Sequence, residues 1–222
     1  MEKYFITLIF CVIGGIIFTI VTHEAAHYMM FKHYGAKFHE LKMGLFVIFK
    51  SNGKKKVRLA QKGERGFSVA GIREEDYKWN ELFFILLAGP FVNLITGLFA
   101  CIIFDDFLIC WYFGIIPLFV GLFNILPIPF DAQSDGCRMM RLLDKSSREY
   151  EVLDYNIVKG IVLNNEIKYK DLAELSKSSN NVHKCRCYFY RYIMDDSNNY
   201  IKKWAHNEQS KIKAAGCKAF RI

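Results

Sequence analysis

The chain has 222 residues, 52% of them hydrophobic and 16% aromatic, with a formal net charge of +8. Its apolar residues gather into runs of about twenty, which a soluble globular chain of this size does not usually do. Seven cysteines, an odd number spread over apolar runs and a basic tail, point to reduced thiols and exclude a disulfide-stapled secreted domain.

The first run, Tyr4 to Val21, holds eighteen residues without a charge. It starts with only Glu2 and Lys3, and no small-x-small cleavage site precedes its histidines, so it does not read as a cleavable signal peptide. A helix continued to about Phe31 is long enough to cross a bilayer, with Gly14-Gly15 as a smooth patch for a neighbouring helix. The polar stretch from Lys32 to Lys78 follows. Leu45–Lys50 and Lys54–Leu59, joined at Ser51-Asn52-Gly53, predict a β-hairpin at the membrane surface, and Gly66–Gly71 predicts a short third strand. The second span is Leu82–Phe104, where Pro90 should kink or open the helix. Asp105-Asp106 connects it to a third span, Phe107 to about Leu126, ended by Pro127 and Pro129. Beyond Asp144 no run is long enough to span. Helical spacing there, broken near Asn164-Asn165, Ser176–Asn181 and Asp195–Asn199, predicts four or so amphipathic helices.

The expected fold is therefore an α-helical integral membrane protein with three core transmembrane helices, a small surface hairpin and a helical tail. Residues 1–143 form the embedded core and 144–222 the tail. Charge orients it. The 32–78 loop carries twelve Lys/Arg and the chain beyond residue 130 seventeen, against Lys3 at the N-terminus and none at 105–106. The positive-inside rule places loop and tail in the cytoplasm. That accounts for the basic balance without nucleic acid, and a bacterial cell membrane fits it.

At the inner end of the first span stands His23-Glu24-Ala25-Ala26-His27. Two imidazoles four residues apart share one helical face and can grip one zinc ion, and the intervening Glu can take a proton from water that zinc activates. Ionisable residues at the end of an apolar span are costly, so a functional reading comes first. Asp135, followed by Gly136, lies just past the inner end of the third span, at the same membrane boundary. Two His and one Asp leave a coordination position open, as catalytic zinc sites do. Asp131 is a rival third ligand; Asp135 is preferred because it keeps the glycine partner and leads into the helical run Arg138–Leu143. The segment His183-Lys184-Cys185-Arg186-Cys187 lacks a fourth ligand at useful spacing, so it reads as reduced thiols in the tail.

With Ala88-Gly89-Pro90 and Asn93 on the second span, and Asn124-Ile125-Leu126-Pro127-Ile128-Pro129 leading to Asp135-Gly136, these motifs resemble the site-2 protease family of intramembrane metalloproteases over residues 5–140. The family commonly places its Asp-Gly closer behind the proline pair. The resemblance implies that His23, His27 and Asp135 bind zinc, that Glu24 is the general base, and that Asn93 and Asn124 position substrate or the reaction intermediate. It implies peptide-bond hydrolysis in a membrane-spanning or membrane-attached substrate near the cytoplasmic face. The hairpin would hold that substrate extended by strand addition. Nothing is transferred to the tail by the resemblance; its size and polarity alone suggest that it selects substrates or takes a regulator. The competing expectation is a membrane binding or immunity-type protein that keeps the fold and does not cleave.

Overall fold

The computed structural model describes residues 2–44, 46–51, 54–60, 66–103, 108–127, 134–164 and 169–194. The expected turn at Asn52-Gly53, the Asp105-Asp106 connection, Asp131 and the chain beyond Met194 lie outside the described residues.

Helix α1 (Glu2–His33) runs unbroken for 32 residues, about 48 Å at 1.5 Å per residue. It ends where Gly35 turns left-handed at φ +79° and the Ala36 amide donates to the Phe31 carbonyl at 2.9 Å, a glycine-type helix stop. Helices α2 (Trp79–Ile103) and α3 (Leu108–Ile125) pack against it and against each other. Gly14 and Gly15 face Phe113 and Ile116 of α3, the close helix contact expected of them. Pro90 lies inside α2 and the helix continues past it. Two helices, Tyr4–His33 and Trp79–Ile103, are long and apolar enough to cross a membrane. The outer faces of all three helices expose Phe10, Ile17, Phe91, Phe99, Phe119 and Phe123.

The 32–78 region holds more than a hairpin. Four antiparallel strands, β1 (Lys37–Gly44), β2 (Phe46–Ser51), β3 (Lys54–Leu59) and β4 (Gly66–Ile72), form one sheet in the order β3-β2-β1-β4. The expected hairpin is β2–β3 and the expected third strand is β4, but β1, read from sequence only as polar loop, pairs with both β2 and β4. A register shift between Phe38 and Glu40 puts a bulge in β1. Such an extra residue breaks the period-2 alternation and brings Phe38 onto the face of Leu41 and Met43, all three lining a cavity against α1. Arg73, just past β4, fastens the sheet to the helices: it donates to the Tyr34 carbonyl at 2.8 Å and to Glu81 at 2.5 Å, and stacks over Tyr77.

Helix α4 (Asp135–Leu143) begins behind an N-cap, the Ser134 hydroxyl accepting from the Cys137 amide. Helices α5 (Lys145–Asn164), α6 (Tyr169–Leu175) and α7 (Asn181–Met194) follow, their ends falling at the breaks read in the sequence. Two apolar cores result. One joins Phe31 of α1, Tyr77, Leu82, Ile85 and Leu86 of the α2 region, and Met139 and Leu142 of α4. The other joins Ile157, Leu172, Leu175, Cys187 and Tyr190 within the tail. Between them lies a buried ionic network. Glu151 of α5 accepts from Arg138 Nε at 2.8 Å, Arg141 Nε at 2.7 Å and His183 Nε2 at 3.1 Å. Asp154 pairs with Arg186 and accepts from the Tyr190 hydroxyl. His183 thus belongs to a charge network, and Cys185 and Cys187 are buried packing residues.

Candidate metal centre

The helical spacing of His23 and His27 places both rings on the face of α1 that packs on α2, and both residues are buried with Glu24 between them. Asp135 arrives from the first turn of α4, which the shared core of Met139 and Leu142 holds against α2. Gly136 lies so close to the end of α3 that an added Cβ would come within 2.7 Å of the Leu126 carbonyl oxygen and nearer still to that of Ile125. The chain can therefore deliver Asp135 only with glycine at the next position.

The three side chains converge. His23 Nε2 is 3.0 Å from His27 Nε2 and 3.2 Å from Asp135 Oδ2, and His27 Nε2 is 3.4 Å from the same oxygen. A tetrahedral zinc with bonds of about 2.0–2.1 Å sets its ligand atoms about 3.3 Å apart, so this triangle has the edges of such a site. His23, His27 and Asp135 are a group that can hold a metal ion.

The surroundings suit a cation. Burial alone would raise the Asp135 carboxyl, but hydrogen bonds with His23 and His27 outweigh it and hold that carboxyl well below the usual carboxylate range, so it meets a cation as an anion. His27 Nδ1 lies 2.6 Å from the Ile85 carbonyl, which can only accept. The proton therefore sits on Nδ1 and the Nε2 lone pair faces the cluster. Gly89 makes room: a Cβ there would stand 2.7 Å from His23 Nε2 and closer to His27 Nε2.

Asn93, fully buried, lies behind His23 with its amide nitrogen 3.1 Å from Nδ1 and its oxygen 3.3 Å from the Thr22 hydroxyl. When His23 ligates through Nε2, Nδ1 carries the proton, and the amide presents its oxygen there and its NH2 to Thr22. The Thr22 hydroxyl then donates to the Phe18 carbonyl, 2.9 Å away. Each group has a partner in that arrangement. With the amide so oriented and His23 bound to a metal, Asn93 sets the tautomer and plane of that ring, and Asn93→Ala is expected to weaken metal binding about 10–100-fold with the His23, His27 and Asp135 side chains in place. Chelator competition measures this; wild-type affinity in the variant would remove the role.

Asn124, half-buried in the last turn of α3, makes no hydrogen bond with the cluster among the described residues. Glu24 lines a cavity of about 220 Å³ between α1 and β1, with Tyr28, Phe38, Leu41, Met43 and Lys55. The supporting groups not singled out from sequence are Thr22, the Ile85 carbonyl and this cavity. Thr22 adjoins the motif and could have been found there; the other two depend on which strand and helix pack beside α1. No protein-family model, curated protein or solved structure matches this chain.

Proposed function

We propose that this chain is an intramembrane zinc endopeptidase of the site-2 protease kind. The observation that carries the reading is the convergence of His23, His27 and Asp135 from two separate helices into a triangle with zinc-ligand spacing, with a carboxylate, Glu24, beside the first histidine. The apolar outer faces of α1, α2 and α3 support a membrane-embedded core. The 18 residues of α3 rise about 27 Å, close to a hydrocarbon core of about 30 Å, which supports reading α3 as the third span. The basic 32–78 loop and tail then face the cytoplasm of a bacterial cell membrane.

Zinc, when bound, supplies Lewis acidity to water and to the scissile carbonyl. Glu24 takes a proton from the attacking water and passes it to the leaving amine. Asn93 orients His23, and Asn124 at the mouth of α3 is left to contact substrate. The cavity beside Glu24 receives an apolar side chain of a membrane-spanning or membrane-attached peptide held extended. Strand addition uses the sheet edge β3, since β2 is paired on both sides.

The test is zinc stoichiometry on detergent-purified protein for wild type, His27→Ala, Asp131→Ala and Asp135→Ala. About one zinc per chain, lost with His27 and Asp135 and kept with Asp131, is the expected result. A folded wild type that takes up no zinc overturns the reading in favour of a non-cleaving membrane binding protein.

A further inference from the structure

Resting on the metal-centre reading, we propose that the tail holds the third ligand in place: Glu151, acting through Arg138 and Arg141, fixes the orientation of α4 and so the position of Asp135. Glu151 is a positioning residue that sets metal affinity from a different helix.

Helix α4 has nine residues, too few to be stable in isolation, so neighbours must define where its first turn lies. Its apolar side, Met139 and Leu142, rests in the core with Leu82, Ile85 and Leu86 of α2. Packing of that kind resists separation but leaves room for small slides and rotations. The ionic side removes them. Arg138 stands one turn after Asp135, and Arg141 one turn further. Each donates through Nε to a different oxygen of one Glu151 carboxylate, at 2.8 and 2.7 Å, an arrangement with strict directional demands. Arg138 also lies over the Tyr155 ring, 4.3 Å from its centroid, and donates to its hydroxyl at 3.2 Å.

Glu151 is itself locked. It is wholly buried and accepts from His183 Nε2 of α7 at 3.1 Å, while His183 Nδ1 is 2.9 Å from the Ser178 hydroxyl. Burial alone would raise the Glu151 carboxyl, but Arg138, His183 and Arg141 outweigh it and hold it well below its ordinary range. The anion is therefore present at neutral pH. A metal ligand must be held within about 0.5 Å of its working position, and the path from Glu151 to Asp135 runs through one side chain and one helical turn. Losing this hold lets Asp135 drift and leaves two protein ligands in place of three.

The experiment measures zinc affinity by chelator competition on the full chain in detergent, for wild type, Glu151→Gln, Arg138→Lys and Leu172→Ala. Glu151→Gln keeps the shape and removes the charge; it is expected to weaken zinc at least about 10-fold, as loss of groups supporting a ligand does. The same variant loaded with cobalt(II) is expected to lose the visible bands of a tetrahedral site. Leu172→Ala opens the tail core, where Leu172 is buried and none of the bonds to Glu151 involves it. It is expected to lower the melting temperature yet leave zinc affinity within about twofold. Arg138→Lys keeps the charge and loses the directed Nε bond. It is expected to weaken zinc by an intermediate factor, and it decides the matter if Glu151→Gln does not fold. Wild-type affinity in a folded Glu151→Gln or in Arg138→Lys overturns the inference, as does equal weakening by Leu172→Ala. A wild type without zinc overturns the metal-centre reading itself, and this inference with it.

Discussion

On the proposed peptidase function, Glu24→Gln is expected to bind zinc as the wild type does and to cut substrate about 10²–10⁴ times more slowly. Glutamine fills the same volume in a buried position on α1, and Glu24 is not among the three groups whose atoms converge. The substitution therefore removes a proton acceptor without touching the ligand set. Two readouts are needed: zinc per chain, and the single-turnover rate on a transmembrane reporter peptide that the wild type cleaves. Intact zinc with a wild-type rate would remove Glu24 as the base. Lost zinc would make it a structural residue of the site. His27→Ala should instead lose both together, which separates the two roles.

Gly89→Ala is expected to abolish stoichiometric zinc binding although it adds a single methyl group. The new Cβ would stand 2.7 Å from His23 Nε2 and closer to His27 Nε2, inside contact distance of two ligand atoms. Alanine favours a helix over glycine by about 1 kcal/mol, which offsets part of the cost of displacing the two buried rings. Lost zinc in a protein that still folds, with at most a modest fall in melting temperature, is the signature to look for. Gly14→Ala is the control: its added Cβ meets only the far end of the Phe113 ring, at 3.0 Å, and zinc should remain. A Gly89→Ala protein with one zinc per chain would mean that the histidines do not face each other across this glycine.

The helices and the His23, His27 and Asp135 group that can hold a metal ion were the legible part of this sequence. A run without charges ends in two histidines at helical spacing, and an Asp-Gly pair follows a proline-terminated run; both signals are local and both depend on side-chain type. Strand β1 was illegible for a physical reason. Its residues Lys37–Gly44 mix Lys, Glu and His with Phe and Leu, and the bulge after Phe38 destroys the alternation by which a half-buried strand is recognised. The ionic network was hidden differently. Glu151 lies 13 residues from Arg138 and 32 from His183, and each residue alone looks like an ordinary charge on a solvated helix. Only the packing of α4, α5 and α7 shows that all of them are inside. Asn93 sits between these cases: its place on α2 marked it, but its bond to the rear of His23 could not be read from spacing.

Strand β3 has one neighbour among the described strands, so its far side offers backbone groups for pairing. Lys54, Lys55 and Lys56 are exposed along it, with Arg58 beyond them. Two copies of the protein meeting edge to edge would bring these cations opposite one another, which destabilises a cross-strand pair and is a known way to keep sheets from joining. The same row attracts a strand that carries carboxylates. The charges along this edge thus disfavour pairing with a second copy of the protein and favour a strand that brings carboxylates.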